Sequence, residues 1–146
     1  MREILRDRIK KGYTVLPELE AQKICESYGI KCPPTHLVNN KEDCIDAGNK
    51  IGYPVVIKIF SKDIIHKSDA GGVVTNINSD EELAEKYENM LKTVKGKYPD
   101  ANIEGVVVQK MMSKGIEVII GGFKDEQFGP VIMFGTGGIY VEVFKD

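Results

Sequence analysis

The chain has 146 residues, 42% apolar and 29% charged, with a formal net charge of -2. That length is enough to bury one core or two small packed lobes. The charge balance excludes a nucleic-acid binder that relies on a broad basic face, and no apolar run reaches the length of a membrane-spanning helix.

The first residues, Met1 to Ile9, mix acids with arginines and lack an apolar stretch, so a short amphipathic helix is expected rather than a secretory or transit segment. Pro17 opens a second helix with an apolar stripe of Ala21, Ile24, Cys25 and Tyr28, stopping at Gly29. Thr35 to Val38 is predicted as a strand. Asn39 with Glu42 is the expected capping pair of a third helix, whose stripe is Cys44, Ala47, Gly48 and Ile51 and whose stop is Gly52.

Next come a strand over Tyr53 to Phe60, a loop from Ser61 to Gly72, and a strand over Val73 to Ile77. Ser79 and Glu82 form a capping box for a helix whose inner face is Leu83, Tyr87, Met90, Leu91 and Val94. The polar stretch Gly96 to Asn102 contains Pro99 and is the expected lobe boundary. Beyond it, strands are expected over Gly105–Gln109, Ile116–Ile120, Pro130–Phe134 and Ile139–Val143, joined as an antiparallel meander. The fold class is α+β: residues 1–16 as an extension, 17–102 as an α/β lobe and 103–146 as the start of a β-rich second lobe.

Three cysteines, Cys25, Cys32 and Cys44, have no Cys-x-x-Cys spacing, which fits a reducing cytoplasm without disulfides. Cys32 and His36 do not make a metal site by zinc spacing rules.

Lys58 is a single cation inside an apolar strand, sharing a face with Val56 and Phe60. It suits either a phosphate contact or an edge-strand lysine that snorkels to water. His66 lies in a loop with Lys62, Lys67, Ser68 and Asp69. It is either a nucleophile or an ordinary surface histidine. Gly71-Gly72 allows close approach of backbone to a phosphate, or is a plain hairpin turn. The run Gln109, Lys110, Met111, Met112 could line an adenine or pack a core. Glu117 could bind a ribose or pair with a lysine, and Glu142 is ambiguous between a site residue and the polar face of a strand.

These blocks resemble a known family. Gly52-Tyr53-Pro54-Val55-Val56-Ile57-Lys58, Ile65-His66-Lys67-Ser68-Asp69-Ala70-Gly71-Gly72-Val73, Gln127-Phe128-Gly129-Pro130-Val131 and Gly137-Gly138-Ile139-Tyr140-Val141-Glu142-Val143 are similar to the ATP-grasp domain of nucleoside-diphosphate-forming acyl-CoA synthetases. The likeness is closest to beta subunits of ADP-forming acetate–CoA ligases.

The resemblance implies an ATP-grasp fold and an acid–thiol ligase that reversibly makes ATP from acyl-CoA, ADP and phosphate with Mg2+. It implies Lys58 on the nucleotide phosphates and His66 as a phosphoryl-carrying histidine on a mobile loop. It further implies Gln109, Met111 and Met112 at the adenine and Glu117 at the ribose, with Gly71, Gly72 and Glu142 as weaker nucleotide-site candidates. The implied partner is a CoA-binding alpha subunit in a hetero-oligomer. The family continues past Phe144-Lys145-Asp146, so a fragment or split subunit is expected, with the magnesium ligands outside this chain. Two other readings stay open: a non-catalytic ATP/ADP-binding module, and a fragment of an ATP-grasp carboxylate–amine ligase.

Overall fold

The computed structural model describes residues 2–10, 12 and 15–138, with side chains from residue 5 onward. In chain order the elements are α1 (Arg2–Lys10), α2 (Glu18–Ser27), β1 (Thr35–Val38), α3 (Lys41–Ile51), β2 (Val55–Ser61), β3 (Val73–Ile77), α4 (Asp80–Lys97), β4 (Ile103–Lys110), β5 (Val118–Asp125) and β6 (Gly129–Thr136). They form two compact units, Met1–Met112 and Ser113–Asp146.

The first unit is built on an antiparallel sheet of order β1-β4-β2-β3. Alternation along β2 sends Val55, Ile57 and Ile59 into the core. There they meet Leu83, Tyr87, Met90 and Val94 of α4 and Cys44 and Ala47 of α3. Those helical residues recur at intervals of three and four, which puts them on one stripe. Burying each of the larger aliphatic side chains contributes roughly 1.5–3 kcal/mol.

The opposite face of the same strands carries Val56, Lys58 and Phe60. In β4, Val107 lies directly across from Lys58, and Gln109 across from Val56.

Two caps set the helix starts. Asn40, not Asn39, caps α3: its side chain accepts from the Asp43 backbone N–H at 2.8 Å. The expected pairing with Glu42 is therefore shifted by one residue. Asn39 and Asn40 are equally good cap chemistry, and a choice between them rests on the strand register before them. Ser79 caps α4 by accepting from Glu82 N–H, while the Glu82 carboxylate accepts from Asn78 N–H at 2.9 Å rather than from Ser79. Gly52 closes α3 at φ +78, a backbone conformation glycine adopts without penalty.

Two further expectations are corrected. The 103–110 strand does not open the second lobe: β4 lies between β1 and β2 with seven paired positions along β2. The break in the chain's contacts comes after Met112, not at the polar 96–102 connection. That connection is only the turn that returns α4 to the sheet. In α2 the stripe residues Ala21, Ile24 and Cys25 are half-buried, no residue of the helix is fully buried, and Tyr28 after it is 74% exposed.

The second unit shows a β5–β6 hairpin in register from Val118 with Thr136 to Asp125 with Gly129. Its turn is fixed by the Asp125 carboxylate, which accepts from the Gln127 and Phe128 N–H groups at 2.8 Å each. Those bonds hold the Asp125 carboxyl below its ordinary range. The expected 116–120 and 130–134 strands are thus found as one hairpin, the first starting two residues later at Val118 and both running longer, while the expected first strand of the meander pairs as β4 in the other sheet. The expected last strand, with Glu142, lies outside the described residues.

Candidate functional site

The site forms on the sheet face away from α3 and α4, where Lys58 projects. Lys58 Nζ donates to Glu18 Oε1 at 2.7 Å and to Gln109 Oε1 at 2.9 Å. The other Glu18 oxygen lies 3.6 Å from Lys67 Nζ. Gln109 is itself fixed, with Nε2 donating to Thr35 Oγ1 at 3.0 Å. One carboxylate thus sits between two lysines, while a neutral amide orients the inner one. The four charged or amide side chains come from α2, β2, β4 and the loop after β2.

A half-sheltered cation in a valine-rich sheet needs an anion or strong dipoles to offset its lost hydration. Glu18 and Gln109 supply both. Glu18 is not among the residues that the sequence pattern singles out. Its only local signal is a carboxylate in the first helical turn after Pro17, which ordinary helix-terminus electrostatics also explains. Burial works to raise the Glu18 carboxyl, but the hydrogen bond and charge of Lys58, joined by Lys67, hold it below its ordinary value.

His66 is exposed, in the loop joining β2 to β3. The loop is anchored at both ends by Ile64 and Ala70, which are 3% and 0% exposed. Between them the backbone closes on itself: Ala70 N–H donates to His66 O, Gly71 N–H to Ser68 O and Gly72 N–H to Lys67 O at 2.7 Å. Lys97 Nζ, from the last turn of α4, donates to Asp69 O. Gly71 has φ +72, and a Cβ on Gly72 would stand 2.6 Å from Ile59 Cγ2. In this conformation the Gly71 and Gly72 amides serve the loop's own turn, so these glycines shape the loop.

The other candidates are arranged as follows. Gln109 is buried and committed to Lys58 and Thr35. Lys110 Nζ donates to Gly52 O and Tyr53 O, and Met111 N–H to Pro54 O at 3.1 Å. The end of β4 is thereby docked on the turn that carries the cis Tyr53–Pro54 bond. Met112 is exposed. Glu117 belongs to the second unit, where its carbonyl accepts from Gly137 N–H at 2.8 Å. A shallow pocket lined by His36, Asp43, Asp46 and Lys50 lies on the opposite face from Lys58, since His36 shares its face with Val108 and Ile57. It is separate from the lysine cluster.

Residues 7–146 match the family model of the ATP-grasp domain. The chain belongs to the ATP-grasp family. Within that family it is similar to the beta subunit of ADP-forming acetate–CoA ligase I of Pyrococcus furiosus, 46% identical over 145 residues, covering 99% of this chain and 62% of that protein. Among solved structures it resembles the dinucleotide-forming acetyl-coenzyme A synthetase 1 of Candidatus Korarchaeum cryptofilum in complex with coenzyme A, Ca-AMPCP and HgCl+. The TM-score is 0.90 at 42% identity, over 99% of this chain and 63% of that one. A structure of the same synthetase with coenzyme A and Mg-AMPPCP, its phosphohistidine segment pointing towards the nucleotide binding site, gives a TM-score of 0.81 at 37% identity, over 99% and 61%. This ATP-grasp chain therefore spans somewhat under two thirds of the length of these relatives. No helix among its described residues is long and apolar enough to cross a membrane.

Proposed function

We propose that this ATP-grasp chain is the nucleotide-binding part of an ADP-forming acyl-CoA synthetase, in which His66 carries a phosphoryl group to ADP. The observation that carries the reading is the meeting of Lys58 and Lys67 on one anion, with His66 next to Lys67 in the chain. The resemblance to synthetase beta subunits, and to a structure whose phosphohistidine segment points at a nucleotide, supports it. The same likeness favours an acyl-CoA ligase over a carboxylate–amine ligase.

In this reading the ammonium of Lys58, held by Gln109, binds the phosphates of ADP as a compact point charge. Exposed His66 attacks a phosphoryl donor held by a CoA-binding partner chain. A P–N bond to the imidazole forms as the donor's bond to phosphorus breaks. An oxygen of the terminal ADP phosphate then attacks the same phosphorus, the P–N bond breaks, and ATP leaves with the imidazole regenerated. Positioning and charge neutralisation account for most of such catalysis. Gln109, Met111 and Met112 are assigned to the adenine side and Glu117 to the ribose. Gly71 and Gly72 act by shaping the loop rather than by binding phosphate.

Magnesium is implied by the family, but the described residues include no group of three or more His, Cys, Asp or Glu that could hold a metal. They do not fit the ion, so no step is routed through it. Nucleotide fits the two lysines.

Isothermal titration with ADP tests the phosphate site. Lys58→Gln is expected to weaken ADP binding by at least about tenfold, the size of one lost charge-assisted contact. Unchanged affinity would reject Lys58 as the phosphate ligand.

A further inference from the structure

The geometry points to Glu18 as a resident counter-anion that occupies the phosphate position on Lys58 until nucleotide arrives, and that meanwhile ties down the His66 loop through Lys67. The inference rests on the reading of Lys58 given above.

The two partners of Lys58 are unequal. Gln109 is neutral, buried and locked by Thr35, so it keeps the lysine oriented whether or not an anion is present. Glu18 is a charged, half-buried group on a helix that buries no residue in the core. Released from Lys58, its carboxylate remains in the first turn of α2, where the helix dipole favours negative charge, and reaches water at small cost. The amide is thus the fixed support and the carboxylate the exchangeable group. A phosphate accepts charge-assisted bonds as a carboxylate does but carries more charge, so it competes well for the same ammonium.

The second consequence concerns the loop. Glu18 is the one carboxylate near both Lys58 and Lys67 among the described ion pairs. Ile64 and Ala70 stay in the core and Gly72 stays packed on Ile59, so the part that Lys67 restrains is the short run containing His66. Nucleotide that displaces Glu18 from Lys58 also loosens Glu18 from Lys67. ADP entry then removes one restraint on the histidine that is to carry phosphoryl to it, the backbone bonds from Ala70 N–H to His66 O and from Gly72 N–H to Lys67 O being the others. A ligand shifts such an equilibrium only by its differential interaction with the two states, here the exchange of one anion for another.

ADP titration of the whole chain and of Glu18→Gln, with trypsin cleavage after Lys67 followed alongside, tests the inference. Glu18→Gln, and likewise Glu18→Ala, is expected to bind ADP about threefold to tenfold more tightly, the scale of a partly exposed ion pair. In the unsubstituted chain ADP should speed cleavage after Lys67, and Glu18→Gln should show the faster rate without ADP. ADP affinity equal to or weaker than that of the parent chain, or slower Lys67 cleavage with ADP, would overturn the inference. The cleavage arm uses the parent chain and so decides even if both variants unfold. Lys58→Gln separates the two layers: if it leaves ADP binding intact the nucleotide reading itself fails, and if it abolishes binding while Glu18→Gln gains nothing, only the counter-anion role fails.

Discussion

A carboxylate and an amide converge on Lys58 among the valines of the sheet, and that convergence has a pH signature in Glu18. The folded state holds Glu18 below its ordinary value of 4.5. A carboxylate with a depressed folded value contributes stability that is fully present above its unfolded pKa and is lost as pH falls through the folded one. The chain should therefore lose an increment of stability below about pH 4.5 that Glu18→Gln lacks, no larger than about 1 kcal/mol for a pair this exposed. Urea midpoints measured for both proteins from pH 7 down to 3 check this. Cys44 gives a second residue-scale prediction. Burial pushes its thiol up to about 12, so iodoacetamide at pH 8 should leave it unmodified until the protein unfolds. Peptide mapping by mass spectrometry reads this directly. Gly72→Ala forces a Cβ against Ile59 and the Lys67 carbonyl and should cost about 1–3 kcal/mol in a urea titration.

Elements whose faces alternate strongly were legible before the structure. Thr35–Val38 and Val73–Ile77 match the observed strands, and the α4 stripe of Leu83, Tyr87, Met90 and Val94 is buried as its spacing requires. What was not legible depends on partners distant in the chain. Nothing local tells that 103–110 pairs with strands 35–38 and 55–61, because a valine-rich strand fits a first or a second lobe equally well. Nor does an i, i+3, i+4 stripe show how deeply it is covered: α2 carries one, and no residue of it is fully buried. The cap of α3 lay one residue from the expected position. Asn40→Ala should cost about 1 kcal/mol, and Asn39→Ala should leave that N-terminal hydrogen bond intact. Thermal melts of the two variants distinguish them.

At the scale of the molecule, Lys58, its amide support Gln109 and the His66 loop all belong to the 1–112 unit, while Glu117 belongs to the other. Lys58 and His66 are legible in the sequence because a lysine in an apolar strand and a histidine among lysines stand out locally. Glu18 is not, since its meaning arises only when α2 meets the sheet. The chain covers 62% of the Pyrococcus furiosus beta subunit it resembles.

The central claim, that His66 carries phosphoryl to nucleotide, is tested most directly by radiolabel transfer. The chain is mixed with a CoA-binding synthetase subunit, acyl-CoA and 32P-labelled phosphate, and its acid-labile label is followed before and after ADP is added. Label on the unsubstituted chain that chases into ATP, and no label on His66→Ala, is the predicted result. Equal labelling of His66→Ala, or label that ADP does not remove, would contradict it.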